Sequence, residues 1–144
     1  PDPKLRARIE QMTPREKAAT AEELTGNMAT HVAYVVRKGN RIVPPDACEA
    51  EAVPIMREIP GEELAKQILP NGTLPFAFGT LIVPIPLPAQ ARSILPLIDG
   101  QRTVGNLASI MAERGMKEEK FFRIWKDMFT ALESLNRLLL TYSK

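Results

Sequence analysis

The chain has 144 residues, 44% of them apolar and 25% charged, with 19 basic against 17 acidic side chains. That length suits one domain, or a small domain with an appended lead, and a net charge of +2 is too near balance to argue for nucleic acid or an anionic membrane. One cysteine, Cys48, and one histidine, His31, exclude an internal disulfide and a zinc site built from Cys and His ligands.

In chain order, Leu5 and Ile9 at helical spacing predict a short helix over 4–11. Thr13-Pro14-Arg15-Glu16 is a capping box with proline at the first helical position, so a second helix is expected over 14–25, with Ala18, Ala21 and Leu24 on one side. Val32 to Val36 is rich in strand formers and ends at the Lys38-Gly39-Asn40 turn, after which Ile42-Val43 offers a short return strand. From Pro44 to Pro60 four prolines predict an extended connection, because each removes a donor and biases its predecessor away from helix. Gly61-Glu62-Glu63 opens a short helix through Leu69, and Asn71-Gly72 is a turn. Phe76–Phe78 and Leu81–Ile85 then read as two short strands joined around Gly79, the second an edge strand because Pro84, Pro86 and Pro88 interrupt its ladder.

The last third has the strongest periodicity. Ala91, Ile94, Leu95 and Ile98 recur at i, i+3, i+4 and i+7, predicting a helix over 88–98. Asp99-Gly100 supplies a turn, and Thr103 sits where its hydroxyl can accept from an unpaired amide of a helix over 104–114, which stops at Gly115. A third helix, over 118–135, carries Phe121, Ile124, Trp125, Met128, Phe129, Leu132 and Leu135 as one apolar stripe. Leu138 to Tyr142 reads as a closing strand, and the expected core is Ile94, Leu107, Met111, Phe121, Trp125, Met128, Leu132 and Leu139. Strand, three helices and strand is the order of a winged helix. The fold class expected is α+β, mainly α: a helical lead with a short strand over 1–43, a proline-rich connector with a short helix over 44–73, and a winged-helix-like domain over 74–144.

Chemistry-bearing residues are sparse. No glycine-rich turn of the G-x-G-x-x-G or P-loop type is present, so a nucleotide fold cannot be placed on the chain. His31 and Tyr34 could form an acid–base pair, but no neighbouring acid orients the imidazole, and a structural role is the plainer reading. Cys48 has no adjacent Lys, Arg or His to stabilise a thiolate, while Asp46, Glu49 and Glu51 oppose one. Phe76, Phe78 and Trp125 read as core anchors before they read as a pocket. Lys117, Lys120, Arg123 and Lys126 spiral around the long helix among Glu118, Glu119, Asp127 and Glu133, which suits a solvated face better than a groove-reading one. The apolar, proline-punctuated run Leu81–Leu87 is the exception, since a bare edge of that kind invites pairing. No run approaches the roughly 18 apolar residues of a membrane span and no signal peptide opens the chain, so a cytoplasmic protein is expected.

Residues 74–140 resemble the winged-helix peptide chaperone PqqD and its relatives: a strand pair, an apolar helix, Asp99-Gly100, Arg102-Thr103-Val104, Leu107-Ala108, a long helix and Leu138-Leu139-Leu140. In that family a leader peptide docks as an added strand beside the third helix. Over a longer span the chain resembles the C-terminal regulatory and winged-helix region of bacterial class I S-adenosylmethionine-dependent methyltransferases. Leu95-Pro96-Leu97-Ile98-Asp99-Gly100-Gln101-Arg102-Thr103 stands for that family's joint, with looser matches at Pro3 to Arg8, Gly26-Asn27 and His31 to Arg37. The family's cofactor-binding glycines and acidic ribose ligand have no counterpart here. The resemblance therefore implies no catalytic, cofactor or metal residue on this chain, and an S-adenosylmethionine site upstream of Pro1. The absence of a starting methionine agrees with part of a longer protein.

The expected function is a non-catalytic module that recruits or orients a protein or peptide substrate, or supports a homodimer, beside an upstream catalytic domain. Leu81, Ile82, Val83 and Ile85 on the edge, with Arg123 and Lys126 at the polar boundary of the long helix, are the candidate partner-binding residues. A free-standing PqqD-type peptide carrier and a winged-helix DNA-binding regulator are the alternatives, with membrane excluded and nucleic acid disfavoured as partners.

Overall fold

The computed structural model describes residues 3–25, 45–78 and 80–142, apart from the side chains of Leu5, residues 22–25 and Phe78. The strand expected over 32–36, its turn, the return at Ile42-Val43, and His31 and Tyr34 lie outside the described residues. By internal contacts the chain divides into two compact units, residues 1–41 with 78–81, and residues 42–77 with 82–144. Helix outweighs strand and both small sheets are antiparallel, so the class is α+β, mainly α.

The first unit holds α1 (Pro3–Glu10) and α2 (Pro14–Thr25). The box before α2 forms as the sequence predicts. The Glu16 N–H donates to Thr13 Oγ1 at 3.3 Å, and the Thr13 N–H donates to Glu16 Oε2 at 2.8 Å. The Thr13 N–H and the Thr13 hydroxyl, which also donates to Glu16 Oε2 at 2.8 Å, hold the Glu16 carboxyl below its ordinary pKa. Ala18 and Ala21, expected on one side of α2, are both exposed.

The second unit is built around one core. Strand β1 (Ala52–Met56) pairs antiparallel with the final strand β4 (Leu138–Tyr142), opposing Pro54 to Leu140 and Ile55 to Leu139. The 44–60 segment, read from its prolines as an extended connection, thus contains a paired strand whose Pro54 is fully buried. Between β1 and β4 in the chain come α3 (Gly61–Gln67), β2 (Thr73–Phe78) and β3 (Leu81–Pro86), whose ends at 78 and 81 fall in the first unit, then α4 (Ala91–Ile94), α5 (Val104–Glu113) and α6 (Glu118–Ser134).

The helix expected over 88–98 is shorter than its pattern. After α4 the chain tightens into a 3-10 turn over Leu95–Leu97, because Pro96 has no N–H to continue an α-helical ladder. That turn packs on α3. The approach is close enough that a Cβ on Gly61 would stand 2.0 Å from the Leu95 carbonyl oxygen, so only glycine fits.

Helix α6 supplies most of the core. Phe121, Ile124, Trp125, Met128, Phe129 and Leu132 are all buried, as their 100° steps predict, each contributing about 1.5–3 kcal/mol of apolar burial. The Trp125 ring stacks between Phe121 and Phe129, at centroid distances of 6.1 and 6.2 Å, and its Nε1 donates to the Ala47 carbonyl at 2.6 Å. One core assignment is corrected. Leu138 is fully buried and Leu139 is 38% exposed, because Leu138 shares the inner face of the ribbon with Met56 while Leu139 opposes Ile55 outside.

Candidate functional site

From Ile82 to Leu87 the run sorts by the two-residue period of a strand, while Leu81, in phase with Val83 and Ile85, is exposed. Ile85 packs against the core and Leu87 is buried, with Val83 half-buried on the same side. Ile82, Pro84 and Pro86 point outward, and Ile82 at 67% and Leu81 at 54% are the most exposed large apolar residues described. The prolines that deny β3 a continuous ladder also leave it in a sheet of two strands. Of the four apolar residues singled out on this edge, then, Leu81 and Ile82 are available to a partner, and Ile85 belongs to the fold.

Arg123 and Lys126 lie on the exposed face of α6, either side of buried Ile124 and Trp125. Helix α6 packs on α5, β4 and α4, and neither cation makes a hydrogen bond or ion pair to β3. The three aromatics weighed as a pocket do not form one. Trp125 is in the core, Phe76 is half-buried with the Arg137 guanidinium 5.1 Å from its ring centroid, and the side chain of Phe78 is not described.

The joint between α4 and α5 is structural in its geometry. Gly100 takes a φ of +75°, and Asp99 Oδ1 accepts from the Gln101 and Arg102 N–H groups, both at 2.9 Å. Those two backbone donors hold the Asp99 carboxyl below its ordinary pKa, with Arg102 3.4 Å away adding to the effect. Thr103 then caps α5, its hydroxyl accepting from the Asn106 N–H at 3.1 Å while Asn106 Oδ1 accepts from the Thr103 N–H at 3.0 Å. The box uses an asparagine where a glutamate or glutamine is usual.

Four surface cavities differ in charge. One of about 440 Å³ holds Glu62, Lys66 and Arg92, and its Lys66 pairs with Glu63 at 2.8 Å and Glu62 at 3.3 Å. A second, of about 260 Å³, has Arg92 as its single cation, and that guanidinium donates to the Ile68 carbonyl. The largest, about 550 Å³, presents Asp46, Glu49 and Glu133 beside Phe129 and Tyr142, whose hydroxyl donates to Glu49 at 2.9 Å. The last, about 440 Å³ at the turn between α5 and α6, is lined by Met111, Arg114, Gly115, Met116, Lys117 and Lys120. Sequence reasoning set Lys117 and Lys120 on a helical spiral and passed over Arg114. What brings the three together is the chain reversal at Gly115, where φ is +86° and the Met116 N–H donates back to the Met111 carbonyl at 3.0 Å.

Among the described residues no polar or charged side chain is buried, and no group of three His, Cys, Asp or Glu could hold a metal. Cys48 is half-buried, its N–H donating to Asp46 Oδ1 at 2.8 Å. No helix among the described residues is long and apolar enough to cross a membrane. Comparison with protein-family models, with curated proteins and with solved structures finds no match.

Proposed function

We propose that this chain is a non-catalytic docking module that holds an extended segment of a protein or peptide substrate along β3, within a cytoplasmic S-adenosylmethionine-dependent methyltransferase. The observation that carries the docking part is the exposure of Leu81 and Ile82 on a strand of a two-stranded sheet whose alternate residues, Ile85 and Leu87, are tied into the core. Such a strand is rigid on one side and open on the other. An incoming backbone gains hydrogen bonds from the groups that Pro84 and Pro86 leave on its edge, and its side chains gain apolar contact with Ile82 on one face of the strand and with Leu81 on the other. The parent activity rests on the resemblance of Leu95–Thr103 and its surroundings to the C-terminal region of those enzymes.

The test uses the longest reading frame that contains this chain. Leu81→Lys with Ile82→Lys is expected to lower methyl transfer to the acceptor protein at least ~5-fold, leaving S-adenosylmethionine affinity and the melting temperature of the frame unchanged. Unchanged transfer by a correctly folded double variant overturns the assignment of β3. Failure of the wild-type frame to bind S-adenosylmethionine overturns the assignment of the parent enzyme.

A further inference from the structure

We infer that the cavity between α5 and α6 is a second docking point, which takes a short acidic and apolar segment of a partner polypeptide. Its partner class rests on the docking reading above, but its residues and chemistry are separate from β3.

Three cations, Arg114, Lys117 and Lys120, line this one concavity without a carboxylate among its lining residues. None of the three has an ion-pair partner among the described residues. In the two other cavities that contain cations, Lys66 is paired with two glutamates and Arg92 is engaged on a backbone carbonyl. Among these cavities, then, the charge at the α5–α6 turn is a concentration of positive side chains that no described carboxylate answers. An anionic group placed there is flanked by three positive side chains, whose summed field favours it.

The rest of the lining narrows the kind of anion. Met111, 4% exposed, and half-buried Met116 form an apolar floor, and thioether side chains adapt to varied apolar shapes. A free oxyanion uses only the rim of such a site, whereas a carboxylate side chain next to a leucine or methionine uses both parts. Nucleic acid fits less well. Glu113, Glu118 and Glu119 are exposed on either side of the cavity and oppose a continuous phosphate ladder. A segment with one or two carboxylates avoids them.

Fluorescence anisotropy of the intact chain with a short labelled peptide of alternating glutamate and leucine tests this directly. Binding is expected, with at least ~10-fold loss in Lys117→Glu/Lys120→Glu and no loss in Arg15→Glu/Lys17→Glu, which changes charge equally on α2. Met116→Gln is expected to weaken this peptide and to leave a glutamate–serine peptide unaffected, a distinction that surface charge alone does not make. Equal binding of a lysine–leucine peptide, or equal loss in the α2 variant, overturns the site. Tighter binding of a single-stranded oligonucleotide that is lost in the same Lys117/Lys120 variant overturns the polypeptide assignment in favour of nucleic acid. Because none of these readouts involves methyl transfer, they stand or fall apart from the parent enzyme and from β3.

Discussion

Trp125 ties two parts of the second unit together. Its ring is sandwiched in the α6 stripe and its Nε1 holds the segment before β1 through the Ala47 carbonyl. Trp125→Ala is expected to destabilise the protein by about 3–5 kcal/mol in denaturant melts, and Trp125→Phe by less, since it keeps the ring and loses the hydrogen bond. A loss below about 1 kcal/mol for the alanine variant would contradict the packing. Asp99 makes a second residue-level case. Its pKa is lowered in the fold by backbone N–H donors, so its contribution is fully present above the unfolded value near ~3.9 and is lost as pH falls through the lowered folded value. Asp99→Ala should therefore melt below wild type at neutral pH, the gap narrowing in strongly acidic buffer. A gap independent of pH would mean that the turn's bonds do not depend on the charge. Trp125 and Asp99 were both legible in sequence, because helical period and Asp-Gly turn chemistry are local properties.

At the scale of elements the boundary of what the sequence discloses is sharp. Helices α2, α5 and α6 begin where capping and periodicity place them, at Pro14, Val104 and Glu118. The pairing of β1 with β4 was not legible. It joins residues far apart in the chain, and Pro54 at its centre reads locally as a breaker, although its missing donor is harmless on a strand of a two-stranded ribbon. Leu138-Leu139-Leu140 illustrates a different gap. Three leucines in a row have no period, so their inward phase is set only by the partner strand, and a one-residue error exchanges core for surface. Leu138→Ala is accordingly expected to lower stability by about 2–5 kcal/mol and Leu139→Ala by less than about 1, measured by chemical denaturation. Equal losses would contradict the register. Similarly, Leu81–Leu87 reads as one apolar edge in sequence, and from Ile82 onward the structure divides it between core and surface at alternate residues.

At the scale of the whole molecule, the described residues form a small α+β scaffold, and the proposal places attachment points on its exposed surface. The described cavities are surface features, and none is walled by buried polar groups of the sort that fix a cofactor's orientation. The isolated chain is expected to give no binding heat with millimolar S-adenosylmethionine, and a micromolar dissociation constant would contradict the division between docking module and catalytic part. The proposed function is the least legible level, because a docking surface is defined by what the fold leaves uncovered, and neither which residues of Leu81–Leu87 stay exposed nor the cavity that gathers Arg114 with Lys117 is written in local spacing. The most direct measurement is amide hydrogen exchange of the longest reading frame that contains this chain, with and without the proposed acceptor polypeptide. The account predicts slowed exchange across β3 when the acceptor is present, and the loss of that protection in Leu81→Lys/Ile82→Lys. Unchanged exchange over Leu81–Pro86 with the acceptor demonstrably bound would contradict it.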